Sequence, residues 1–213
     1  VAERKQAFIQ ALLPHIQEQN RRIAERRERI QRLHEKVRKG GQLADSDRQW
    51  LFSLAQRHRL PRPESLNAEW TRHLLQRVDV IPADLALAQG AIESAWGRSR
   101  FAREGNNYFG QWCFEAGCGL VPKRRPEGAN HEVQVFDSPA GSVETYMRNL
   151  NSHPAYTSLR QIRAELRRQG RPLTGSALAA GLDKYSALGD TYGQRLRSLI
   201  EHNDLERFRR DEG

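Results

Sequence analysis

The chain is short of the residues that mark the simplest non-globular classes. Its 213 residues include one methionine, two cysteines, nine prolines and sixteen glycines. That is too little proline and glycine for a collagen-like or low-complexity chain. No stretch approaches the roughly 18–20 apolar residues that a membrane span needs. Cys113 and Cys118 stand five apart, which is neither a CxxC redox pair nor half of a zinc site. A small disulfide loop and two free thiols are both open readings of this pair. Walker, zinc-finger and RNA-recognition patterns are missing. His58, His131 and His153 lack metal-ligand spacing, and Ser94 and Ser99 lack a GxSxG elbow. No metal and no cofactor is expected.

Basic charge and aromatic residues are present. Thirty-five Lys and Arg against 26 Asp and Glu give a formal charge of +9. Such a balance favours anionic partners, whether nucleic acid, acidic lipid or an acidic polymer such as a cell wall, and assigns no function alone. No specific nucleic acid is expected. Four Trp, seven Phe and five Tyr are enough to build a core.

Residues 1–39 predict one helix. Ile9, Ile16, Ile23, Ile30 and Val37 recur every seven residues, with Phe8, Leu12 and Leu33 beside them. Pro14 and the polar Gln19 and Arg26 interrupt the stripe. The pattern therefore fits a helix laid on its own domain better than a coiled-coil dimer, and a monomer is expected. Ser46 with Gln49 predicts a capping box for a second helix, and Asn67 a cap for a third. From Pro82 to about Trp96 nearly every residue is apolar or small, which predicts a core helix. Asn107–Trp112 and Val133–Phe136 predict short strands around a polar loop, Pro122–His131, read as long and mobile. Helices are expected again from Ser138, Pro154, Thr174 and Asp190, the last to about Phe208. The fold class is α+β, mostly helical, with a helical extension over residues 1–79 packed on a domain over residues 80–213.

Glu93 is the residue with the clearest chemistry. It lies near the end of the apolar helix, where a buried charge is costly unless it is paired, neutralised or facing a cleft. Desolvation raises a carboxyl pKa and makes a proton donor useful near neutral pH. Cleavage of a glycosidic bond needs such an acid. A helix-terminal glutamate pointing into solvent is the bland alternative.

The surrounding residues carry a resemblance. Ala91-Ile92-Glu93-Ser94-Ala95-Trp96-Gly97-Arg98-Ser99, followed by Asn106-Asn107-Tyr108-Phe109-Gly110, resembles the helix end and turn of the glucosaminidase family of bacterial wall hydrolases. Lys184-Tyr185-Ser186 and Tyr192-Gly193-Gln194-Arg195-Leu196 resemble a later segment of the same family. The resemblance implies a lysozyme-like fold with a small antiparallel β lobe. It implies hydrolysis of β-1,4 bonds after N-acetylglucosamine, in peptidoglycan or a related glycan, and hence a periplasmic or extracellular location. It maps the catalytic acid onto Glu93 and a cleft tyrosine onto Tyr185. Trp96, Asn107, Phe109, Trp112 and Tyr192 would line the groove. Trp112, Phe109, Tyr185 and Tyr192 could equally be packed core.

The second carboxylate is less well marked. Glu132, before the second strand, is the first candidate for a base, with Glu127 next, and Asp190 is not spaced like the family's aspartate. Retaining, inverting and substrate-assisted mechanisms all stay open. Two other functional classes also fit: a lytic transglycosylase, and a basic module that binds wall polymer without cutting it. The Lys123-Arg124-Arg125 run would suit an anionic polymer, or would simply be a solvated loop.

Overall fold

The computed structural model describes residues 1–209. α1 (Ala2–Arg38) is one uninterrupted helix, with Pro14 inside it. At about 1.5 Å per residue it runs roughly 55 Å. Phe8, Ile9, Leu12, Ile16, Ile23, Ile30 and Leu33 form its buried stripe, laid against α3 (Ala68–Arg77), α4 (Ala83–Ser94) and α6 (Pro139–Ser152). Val37, the last of the seven-residue series, is only half-buried.

α2 (Asp45–Arg57) begins one residue before the expected cap. Ala44 holds the N-cap position, and no side chain caps the helix. Asp45 and Asp47 instead place negative charge in the first turn, where the helix dipole favours it. α3 is capped as the sequence suggests: the Trp70 amide donates to Asn67 Oδ1 at 2.9 Å.

α4 is the axis of the core. Ten of its twelve residues are buried, and it meets α1, α8 (Gly175–Leu178), α9 (Asp190–His202) and a terminal 3-10 turn, Leu205–Phe208. Each fully buried leucine in it contributes about 1.5–3 kcal/mol. Gly90 permits the close approach of α1, because a Cβ there would lie 3.0 Å from Leu12 Cδ2 and 3.2 Å from Phe8 Cζ. α4 stops at Ser94, two residues short of the expectation, since Ala95 and Trp96 both turn left-handed, with φ of 51° and 57°.

α5 (Arg100–Gly105) was not expected. Ser99 caps it, its Oγ accepting from the Ala102 amide at 3.1 Å. The β lobe follows. β1 (Trp112–Cys113), β2 (Gly119–Leu120) and β3 (Glu132–Gln134) form an antiparallel sheet in the order β1-β3-β2. Trp112 pairs with Val133, Cys113 with Glu132, and Leu120 with Val133. Residues 107–111 are not strand, because the Asn107 side chain takes up the backbone groups of that turn. A disulfide joins Cys113 to Cys118 and closes the β1–β2 connection.

The last helices are α6, α7 (Thr157–Arg168), α8 and α9, with a 3-10 turn at Pro154–Tyr156. α9 ends at His202 and not near Phe208. Asp79, before α4, is 2% exposed and accepts from Arg167 at 2.7 and 3.0 Å. Arg27 of α1 and Arg163 of α7 also face it, so one carboxylate ties three segments together. The result is a mostly helical, lysozyme-like α+β fold with a small antiparallel lobe.

Candidate active site

The end of α4 sets the position of Glu93. Ser94 Oγ donates to the Gly90 carbonyl at 2.6 Å and accepts from the Gly97 amide at 2.8 Å. This pins the turn Ala95-Trp96-Gly97, all left-handed. A left-handed conformation costs a non-glycine residue about 1–2 kcal/mol, and such strain concentrates at functional sites. Phe8 of α1 supports the turn from below. Its ring meets Trp96 edge-on at 5.4 Å and lies 6.2 Å from Tyr108. Lys5 also sits over Trp96, with Nζ 5.0 Å from the ring centroid.

The Asn107–Gln111 turn forms the facing wall. Asn107 is buried and uses its whole amide: Nδ2 donates to the carbonyls of Gln111 and Gln134, both at 2.9 Å, and Oδ1 accepts from the amides of Phe109 and Gln111. Gln111 docks the turn on α6 through Ser142. Gly110 then lies directly against the carboxylate. Its φ is +70°, and a Cβ there would be 3.3 Å from Glu93 Oε2.

Glu93 itself is half-buried. Its Oε1 accepts from the Tyr192 hydroxyl at 3.0 Å, and Oε2 has no hydrogen bond among the described residues. Burial pushes its pKa up. The Tyr192 hydrogen bond and the Arg195 charge offset this only in part. The outcome is a carboxyl that holds its proton above the ordinary glutamate range.

The floor under Glu93 is phenolic. Tyr185 stacks on Tyr192 with centroids 5.6 Å apart and rings nearly parallel. Phe109 stacks on Tyr146 at 3.9 Å. Tyr185 donates its hydroxyl to the Phe109 carbonyl at 2.9 Å. Tyr156 lies against Tyr185 at 5.8 Å; burial raises all four phenols, Tyr156 to about 12, so they stay neutral around Glu93.

The geometry divides the expected site residues. Glu93, Tyr185 and Tyr192 come together, with Trp96 and the Asn107–Gly110 turn around them. Three expected groove residues lie deep: Phe109 is 2% exposed, Tyr192 0% and Asn107 2%, and both polar atoms of the Asn107 side chain are already bonded within the turn and to Gln134. Trp112 is 58% exposed, with one face on the His131 ring at 4.0 Å, and remains open to a ligand on the other. Glu132 is not joined to this cluster. It is buried in β3, and its carboxylate accepts from the Gly117 amide at 2.9 Å, bracing the disulfide loop. Glu127 and Asp190 are both exposed, the latter at the start of α9.

The sequence pattern passed over Gln89, Tyr146, Tyr156, Arg195 and Phe8. Gln89 was within reach: it lies four residues before Glu93 on an otherwise apolar helix, hence on the same face. The others join the site only through the tertiary fold. Among the described residues, no group of three or more His, Cys, Asp or Glu is placed to hold a metal ion. No helix there is long and apolar enough to cross a membrane.

A family model described as mannosyl-glycoprotein endo-beta-N-acetylglucosaminidase matches residues 68–205. The match begins at α3 and so leaves α1 and α2 outside it. The chain is 34% identical over 201 residues to Protein bax of Escherichia coli (strain K12), an overlap of 94% of this chain and 70% of that protein. No solved structure matches. The apolar helix that ends in a desolvated glutamate thus has a family, and the chain belongs to it: the glucosaminidases, glycosidases that cleave glycans.

Proposed function

We propose that this chain hydrolyses β-1,4 bonds after N-acetylglucosamine in peptidoglycan or a related glycan, with Glu93 as the general acid. The observation that carries the reading is the state of Glu93. It is desolvated at the end of a core helix, hydrogen-bonded on Oε1 and unpartnered on Oε2. Burial raises the pKa of a carboxyl held in this way, which suits it to deliver a proton to a glycosidic oxygen as the C1–O bond breaks. Trp96 and Trp112 offer aromatic faces for sugar rings. Tyr185 and Tyr192 act from below, by holding the turn and the acid.

The second function at the anomeric carbon is best met by the substrate. Among the described residues, Glu93 has Tyr192 as its hydrogen-bond partner, and Arg195 is the charge that bears on it. Glu132 would have to leave the Gly117 amide to serve as a base. This favours attack by the sugar's own N-acetyl oxygen, which asks less of a second acid. The Cys113–Cys118 disulfide and the basic surface both suit work outside the cytoplasm on an acidic wall polymer.

The test is digestion of purified peptidoglycan by the wild type, Glu93→Gln and Glu132→Gln, with products read by mass spectrometry. New reducing-end N-acetylglucosamine from the wild type and Glu132→Gln, and none from Glu93→Gln, is expected. Anhydro products, lighter by one water, would move the chain to the transglycosylases. A folded but inactive Glu132→Gln would restore the carboxylate base.

A further inference from the structure

Below Glu93 lie polar groups that proton delivery does not itself use. Gln89 and Tyr146 are buried in the core, yet they connect to the acid through Tyr192. We propose that Gln89 is a positioning residue which, through the Tyr192 hydroxyl, fixes the oxygen of Glu93 that carries the transferable proton. The proposal rests on the reading of Glu93 as general acid.

Tyr146 is 1% exposed, and Gln89 Oε1 is its hydroxyl's hydrogen-bond partner among the described residues. A buried phenol proton without an acceptor is costly, so this proton goes to Gln89. An amide oxygen only accepts, and an amide nitrogen only donates. Gln89 therefore turns Nε2 toward Tyr192, whose Oη lies 3.3 Å away. The Tyr192 oxygen accepts there, and its single proton is left for Glu93 Oε1 at 3.0 Å. The chain of bonds runs one way, from Tyr146 through Gln89 and Tyr192 to Glu93.

A fixed direction has a chemical result. Oε1 accepts a hydrogen bond whether Glu93 is charged or neutral. The acid's own proton then sits on Oε2, the oxygen beside Gly110 that no described residue holds. Without the Gln89 amide the Tyr192 hydroxyl is free to rotate, and a neutral Glu93 can turn its proton inward onto the phenol oxygen. The groups that face Glu93 from the packed elements are Tyr192 and Arg195 of α9, Tyr146 of α6, Tyr156 of the 3-10 turn and Tyr185 of the loop before α9. Arg195 is the charged one among these, and Asp84 bears on Tyr146 at the far end of the relay.

The experiment compares Gln89→Leu, Tyr192→Phe, the double variant and Tyr146→Phe in the full chain. It has two readouts: the pH profile of kcat and KM on peptidoglycan, and the carbon-13 titration of the Glu93 carboxyl. Gln89→Leu is expected to lose about tenfold to a hundredfold in kcat with KM little changed. Its basic limb and carboxyl midpoint should move upward, as in Tyr192→Phe, by roughly one unit. Added to Tyr192→Phe, the Gln89 change should do nothing more, because it acts through that hydroxyl. Tyr146→Phe, which deletes one oxygen, should repeat the upward shift on a smaller scale and serves if Gln89→Leu does not fold. An unmoved midpoint in folded Gln89→Leu or Tyr146→Phe overturns the relay. So does a full Gln89 effect in the Tyr192→Phe background. If the wild type cuts no glycan, the functional reading fails, while a shifted midpoint still upholds the relay.

Discussion

Gly110 offers a way to perturb the acid without touching it. Its φ of +70° is a left-handed conformation, which costs an alanine about 1–2 kcal/mol. For a chain of this size that is a fall in Tm of roughly 2–8 °C. Gly170 makes a matched control. Its φ is +65°, and nothing lies within 4 Å of where its Cβ would stand. Gly110→Ala and Gly170→Ala should therefore lose similar stability. They should differ in chemistry. At Gly110 the new methyl carbon would stand 3.3 Å from Glu93 Oε2, so the carboxyl must shift by a few tenths of an ångström, and its free oxygen is covered on that side.

A general acid is worth about 10²–10⁴-fold in rate, and misplacing a reacting group costs up to about 10²-fold. Gly110→Ala should thus lose about a hundredfold in kcat on soluble peptidoglycan fragments. Gly170→Ala should stay within about twofold of wild type, as a strained surface position would. Turnover by reducing-end release and Tm by thermal unfolding would be measured on the same preparations. Equal turnover in the two variants, at equal Tm, would refute the placement of the working oxygen at Oε2.

Three further outcomes follow from the same structure. Glu93→Gln should raise stability at pH 7 while abolishing cleavage. A folded pKa above the unfolded value means the native state binds more protons, so Glu93 costs stability once pH exceeds about 4.5; urea midpoints at pH 4 and pH 7 should show a gain at the higher pH alone. Asp79 has the opposite sign. Burial pushes its pKa up, but Arg163, Arg167 and Arg27 hold it below 3.8, so its contribution is present above that value and fades as pH falls. Asp79→Asn strands the buried Arg163 and should cost about 3–5 kcal/mol near neutral pH and less in acid, read by urea unfolding across pH. Phe8→Ala should cost about 3–5 kcal/mol and lower kcat as well, because the same ring packs the core and supports Trp96; a destabilised variant with unchanged kcat would separate α1 from the site.

The parts of this molecule that the sequence reveals are those whose signals are local. The seven-residue series of isoleucines marks α1, Asn67 marks the start of α3, and a run of small and apolar residues marks α4. Glu93 stands out because a carboxylate in such a run needs a reason. Signals two residues long do not survive. β2 is Gly119–Leu120 and has no alternation to read, while the Ser46–Gln49 pattern is overridden by Ala44 and two first-turn aspartates. Depth is the other quantity that spacing does not carry. Tyr192 and Phe109 read equally well as groove or core, and only packing against α4 and α6 decides for core.

The same packing explains why the acid is assembled from so many places. Its desolvation comes from α4, its hydrogen bond from α9, the far end of its relay from α6, and the brace on its strained turn from Phe8 in α1. Phe8 lies outside the segment matched by the family, yet Gly90 is small at the point where α1 crosses α4. A Cβ at Gly90 would press on Leu12 and on Phe8, the ring that meets Trp96. Hence α1 belongs to the site as much as to the scaffold. The long helix braces the strained turn that follows the desolvated glutamate.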